Sequence, residues 1–184
     1  MITRITPDSL PFFDLAPHWS GLYQRSSSNI PLRWKRWLTD RSSLTRRLTE
    51  HDQRIFSVEV VAQYHGFAHP SECRQLAIAS QTPVWIRQVN LKLDFDTAVS
   101  ARTVIPLHQL PLLRGSIDRL GNRSLGTFLF SAPGVRRDSM RYYRSGKQQG
   151  LLRWARRSVF RSGKASILVT EVFHEAGLYP PLSD

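Results

Sequence analysis

Val84-Trp85-Ile86-Arg87-Gln88-Val89-Asn90-Leu91-Lys92-Leu93 runs into Asp94-Phe95-Asp96-Thr97, and Ala98-Val99-Ser100-Ala101-Arg102-Thr103-Val104-Ile105 follows. Two runs rich in β-branched and other apolar residues around a short acidic turn read as an antiparallel hairpin. Pro106 closes the second run, because it has no N–H for a ladder. Side chains alternate across a strand, so Trp85, Arg87, Val89, Leu91 and Leu93 share one face. Near the C-terminus Ile167, Val169, Glu171 and Phe173 repeat the pattern. Each apolar face thus carries one charge, and a buried charge is costly without a partner.

Outward from the hairpin, residues 1–31 are rich in Pro and Ser and read as an irregular arm. Trp34 to Leu48 reads as helical, interrupted near Asp40, which is a candidate helix cap. Arg54 to Ala62 reads as a strand, and His65 to Pro83 as loop with a short helical piece. His108 to Leu120 is a candidate helix ending at Gly121. Ser124 to Phe130 is a short apolar segment, and Arg136 to Arg144 a candidate strand. Leu151–Arg161 and Ala165–Phe173 form a second hairpin around Ser162-Gly163-Lys164. This order predicts one α+β domain over residues 1–184, built on a single antiparallel sheet with helices packed on it.

The chain has 184 residues, 41% hydrophobic, enough for one sizeable core. It has no apolar run of membrane-spanning length and no secretory leader pattern, so a cytoplasmic protein is expected. Its single cysteine, Cys73, excludes an internal disulfide and a Cys-rich zinc site. His65 and His69 are four apart, but Gly66 and Pro70 argue against a helix there. Neither a metal nor an organic cofactor is expected. Net charge is +12, from 26 basic against 14 acidic residues. It is concentrated between Arg33 and Arg47 and between Arg136 and Lys164. Such a balance suits a solvated basic face, an anionic metabolite, an acidic membrane surface or nucleic acid. Arg141-Tyr142-Tyr143-Arg144 and Arg153-Trp154-Ala155-Arg156-Arg157 interleave aromatic and basic residues as single-strand binders do, and as alternating strand faces also do.

Each candidate site residue has two readings. Arg87 either captures a ligand carboxylate with its planar fork or pairs with a core carboxylate such as Glu171. Arg102 is a second anion contact or an Arg at a sheet rim. Glu171, with no base in its own strand, is a buried acid that holds a proton near neutrality or half of a structural ion pair. Gly126 permits close backbone approach to a ligand or makes a tight turn.

The succession of Trp37-Leu38 with Ser43-Leu44-Thr45-Arg46-Arg47-Leu48, Val84-Trp85-Ile86-Arg87 and Ala101-Arg102-Thr103-Val104-Ile105-Pro106 resembles the chorismate pyruvate-lyases of bacterial ubiquinone biosynthesis. Leu120-Gly121 with Ser124-Leu125-Gly126-Thr127-Phe128-Leu129-Phe130, Arg156-Arg157-Ser158 with Ser162-Gly163-Lys164, and Leu168-Val169-Thr170-Glu171-Val172-Phe173 complete the series. The resemblance spans about Trp37 to Tyr179. It implies helical flaps over a buried ligand pocket, and conversion of chorismate to 4-hydroxybenzoate and pyruvate without a cofactor. It also implies a monomer with tight product retention. By motif, Arg87 would bind the ring carboxylate, Glu171 would face the ring oxygen at the far end, and Leu125 would supply a backbone contact. Arg102 would approach the enolpyruvyl side. Leu44 would take the lid position where better-known members have Met, and His174-Glu175 departs from the family pattern. The same fold is expected of effector domains of some transcription regulators, which makes a non-catalytic aromatic-carboxylate binding domain the alternative. Those domains follow a DNA-binding helical region, for which residues 1–36 look too short. The basic excess would steer dianionic substrate or hold the enzyme at an acidic membrane surface.

Overall fold

A computed structural model describes residues 22–25, 27–50, 53–113, 117, 120–145 and 154–179. In chain order the elements are β1 (Leu22–Arg25), α1 (Leu32–Leu38), α2 (Leu44–Glu50), β2 (Phe56–Phe67), α3 (Pro70–Leu76), β3 (Pro83–Leu93) and β4 (Asp96–Pro106). A 3-10 turn (Leu107–Leu113) precedes α4 (Leu125–Ser131), β5 (Val135–Ser145), β6 (Trp154–Ser162), β7 (Ala165–Phe173) and α5 (Glu175–Leu178). The strands form one seven-stranded antiparallel sheet in the order β1-β5-β6-β7-β4-β3-β2. The α+β architecture read from the two hairpins is therefore the observed one.

Differences are local. Residues 22–25, inside the stretch read as an irregular arm, pair with β5 as an edge strand; residues 1–21 lie outside the described residues. The helical region breaks into α1 and α2, but Ser43 rather than Asp40 caps the second helix, its Oγ accepting from the Arg46 N–H. Asp40 instead accepts from Ser42 N–H and pairs with Arg47. The Asp94-Phe95 turn is tighter than the four residues expected, with Asp94 in the left-handed region at φ 53°. The segment Ser124–Phe130 is a helix, because Ser124 Oγ accepts from Gly126 N–H at its start. The candidate helix 108–120 begins as a 3-10 turn, with Pro111 inside it.

The sheet has two covered faces. On one, α1 and α2 pack Trp34, Trp37, Leu44 and Leu48 over Leu91, Val99, Trp154 and Phe173. At the other end of that face, Leu129 of α4 joins Trp85, Ile105, Phe160 and Ile167. On the opposite face α3 packs Cys73 and Leu76 against Val84, Ile86, Val104 and Leu168. A capping box starts α3: the His69 side chain accepts from Ser71 N–H, and Glu72 reaches back to His69 N–H.

Gly177 lets α5 lie directly on β4. A Cβ there would fall 2.2 Å from the Thr97 carbonyl oxygen and 2.5 Å from its carbon. Backbone atoms cannot rotate away, so Gly177→Ala is expected to displace α5 and cost about 1–3 kcal/mol. That corresponds to a fall in thermal midpoint of roughly 2–12 °C for a chain of this size. An unchanged melting curve would refute this close approach.

Candidate active site

The sheet register gathers a polar band between the two apolar ends of the α1–α2–α4 face. Arg87 on β3 lies opposite Thr103 on β4, Thr103 opposite Val169 on β7, and Val169 opposite Ser158 on β6. One step along, Val89, Ala101, Glu171 and Arg156 form the next row. Arg87 and Glu171 thus share a face, separated by about 10 Å across the sheet and about 7 Å along it at their backbones. The β4 residues between them, Ala101 and Thr103, are small.

Arg87 is 3% exposed. Its Nη1 donates to Gln63 Oε1 at 3.0 Å, and its Nη2 to the carbonyls of Gly121 and Arg123 at 2.6 and 3.2 Å. All three acceptors are neutral. Burial pulls the guanidinium below its usual range, with no carboxylate among the described residues to offset it. Neutral dipoles satisfy its donors but leave its charge uncompensated. The reading in which Arg87 pairs with Glu171 is not what the fold adopts.

Glu171, also buried, is not the isolated acid that its own strand suggests. Arg156, its cross-strand neighbour on β6, grips it with two donors: Nε to Oε2, and Nη2 to Oε1 at 3.2 Å. Of the two readings given for this residue, the ion-pair geometry is the one the fold contains. Arg156 was visible in the sequence as part of Arg156-Arg157-Ser158, but nothing in strand periodicity tells which carboxyl an Arg on another strand will meet. Ser158, in the Arg87 row, is buried, and its hydroxyl has no hydrogen-bond partner among the described residues.

Two short helices approach from above, and their starts meet. Thr45 in the first turn of α2 hydrogen-bonds Ser124, the cap of α4, hydroxyl to hydroxyl. Leu44 and Leu125 therefore sit at adjoining helix starts, as a lid pair would. Gly126 owes its small size to this junction: an added Cβ would lie 2.9 Å from Thr45 Oγ1 and 3.2 Å from Ser124 Oγ. Gly126 lies in the first turn of α4, not in the tight turn considered for it. Gly126→Ala is expected to rotate the hydroxyls apart and remove about one hydrogen bond between the two helix starts. Amide hydrogen exchange at residues 44–47 should then quicken roughly 2- to 10-fold. Exchange measured by mass spectrometry would test it, and an unchanged rate would mean that this contact does not hold the helix starts together.

Arg102 is not brought to this face. It sits one position off the Arg87–Thr103 row, and its side chain points to the α3 side. There Nε and Nη2 meet Glu72 Oε1 and Oε2 at 2.9 and 3.2 Å. The period of two explains the correction: an odd and an even residue on neighbouring positions of one strand cannot serve the same face.

A family model described as Chorismate lyase matches residues 20–181. The probable chorismate pyruvate-lyase of Chromohalobacter salexigens is 35% identical over 178 residues, covering 92% of this chain and 93% of that protein. That of Cupriavidus metallidurans is 38% identical, covering 79% and 75%. Among solved structures, the effector domain of PhnF from Mycobacterium smegmatis aligns with a TM-score of 0.54 at 15% identity, over 72% of this chain and 88% of that domain. The possible transcriptional regulator YydK from Bacillus subtilis aligns with a TM-score of 0.52 at 9% identity, over 94% and 80%. These last two share the fold.

Proposed function

The chain belongs to the chorismate lyase family, and from that membership and the two polar ends of the site we propose that it converts chorismate to 4-hydroxybenzoate and pyruvate for ubiquinone biosynthesis. The observation that carries the reading is Arg87: a buried guanidinium whose partners among the described residues are all neutral, on the same face as a buried acid. The ring carboxylate of chorismate binds Arg87. The ring hydroxyl at the far end donates to Glu171. Leu44 and Leu125 close over the ring, and the backbone at Leu125 contacts it.

In the reaction the ether bond between ring and enolpyruvyl oxygen breaks. The hydrogen on the neighbouring, hydroxyl-bearing ring carbon leaves, and the ring becomes aromatic. That hydrogen is matched by the one gained at the enolpyruvyl methylene, which becomes the methyl of pyruvate. Aromatisation drives the step, so the protein's work is to hold the reactive conformer and stabilise charge moving onto the departing group. A pocket that fits a carboxylate at one end and a ring oxygen at the other also fits the product, so release through the flaps limits turnover. Arg102, on the other face, is assigned to stability rather than to the enolpyruvyl end.

Incubating the purified protein with chorismate should yield 4-hydroxybenzoate by absorbance and pyruvate by coupled reduction, in equal amounts. A protein that binds 4-hydroxybenzoate yet forms neither product would be a non-catalytic binding domain, the alternative that the shared fold with regulator effector domains supports.

A further inference from the structure

We propose that Arg156 is a positioning residue that couples seating of the α1–α2 turn to the orientation of Glu171. The inference rests on the role given to Glu171 above. Arg156 is fully buried, and its donors face two ways. Nε and Nη2 hold Glu171. Nη1 donates to the carbonyls of Trp37 and Asp40, each at 2.8 Å. Trp37 lies in the last turn of α1, where helix carbonyls have no partner within the helix. Asp40 lies in the turn that leads to α2.

A guanidinium is planar and rigid, so its two ends cannot be aimed independently. If the turn lifts, Arg156 either loses both carbonyls while buried or rotates after them. Rotation carries Nε and Nη2 off Glu171. The acid is therefore presented to a ring hydroxyl only when the turn is down. The turn is clamped from other sides as well. Arg137 Nη1 donates to the Asp40 carbonyl at 3.1 Å, and Arg47 pairs with the Asp40 carboxylate. Arg87 makes the matching connection at the opposite pole, to the Gly121 and Arg123 carbonyls just before α4. Each pole of the site is thus wired to the backbone of a different flap.

A lysine at 156 keeps the charge but, as a single point donor, cannot bridge the acid and two carbonyls. Arg156→Lys is expected to lower kcat about 10- to 100-fold while KM for chorismate moves less than about threefold. In a Glu171→Gln background the same change should add less than about twofold, because both act through one acid. Losses that multiply in the double variant, or a wild-type kcat in Arg156→Lys, would overturn the proposal. A second measurement needs neither turnover nor a change at Arg156. Amide hydrogen exchange of ligand-free Glu171→Gln protein should be faster than wild type by about tenfold at residues 39–43 and unchanged at 121–126. Equal exchange at 39–43 would overturn the coupling even if chorismate turnover is confirmed. A wild type that makes no pyruvate, with the exchange difference present, would remove the proposed reaction and keep the coupling.

Discussion

Arg87→Ala is expected to lower kcat/KM for chorismate by about two to three orders of magnitude, most of it through KM. Truncating one partner of a buried, charge-assisted contact costs roughly 2–5 kcal/mol, and each 1.4 kcal/mol is a factor of ten. The substitution removes the anion anchor, and it also frees the Gly121 and Arg123 carbonyls that Arg87 holds. Binding of 4-hydroxybenzoate, measured by calorimetry, should weaken by a similar factor, since it presents the same ring carboxylate as chorismate. Arg87→Lys should recover part of the affinity but not the bidentate geometry. Near-normal kcat/KM in Arg87→Ala would remove this residue from the site and, with it, the orientation of substrate argued above.

Arg102→Ala is expected to act on stability and leave chemistry almost untouched. Its partner Glu72 is fully buried, and removing one member of a buried pair costs roughly 3–5 kcal/mol, or about 6–20 °C in thermal midpoint here. Well below that midpoint, kcat should stay within about twofold of wild type. The same pair sets an acid limit. Burial works to raise the Glu72 pKa, and Arg102, together with Arg157 and the His69 N–H, more than reverses it, so the carboxyl is held below its usual value of 4.5. A folded-state pKa below the unfolded one adds stability that is complete above about pH 4.5 and is lost as pH falls through the folded value. Wild-type stability should therefore decline below about pH 4.5, and less so in an Arg102→Ala, Glu72→Leu double variant. A stable Arg102→Ala protein with a hundredfold lower kcat would return Arg102 to the active site.

The two arginines mark where sequence reading succeeds and where it stops. Alternation along Trp85–Leu93 and Ile167–Phe173 was enough to put Arg87 and Glu171 on apolar faces, because side-chain direction within a strand is a local property with a period of two. The resemblance then drew Arg102 toward the same ligand, although it pairs across the sheet with Gln88, the neighbour of Arg87. Strand parity and inter-strand register, taken together, would have flagged it. Register in turn depends on the Leu91/Lys92 and Val60/Ala62 irregularities, which no local pattern announces.

By itself the amino-acid sequence determined the hairpins, the α+β class, the two buried charges and the family to which they belong, all consequences of neighbouring residues and their spacing. Tertiary structure alone decided the pairings: Arg156 with Glu171 over 15 residues, Arg102 with Glu72 over 30, and Thr45 with Ser124 over 79. Each is fixed by which strands lie side by side, which helix packs on which strand and which helix starts meet. A guanidinium takes whichever carboxyl or carbonyl the packed sheet brings within reach, and that choice is made by the whole fold at once.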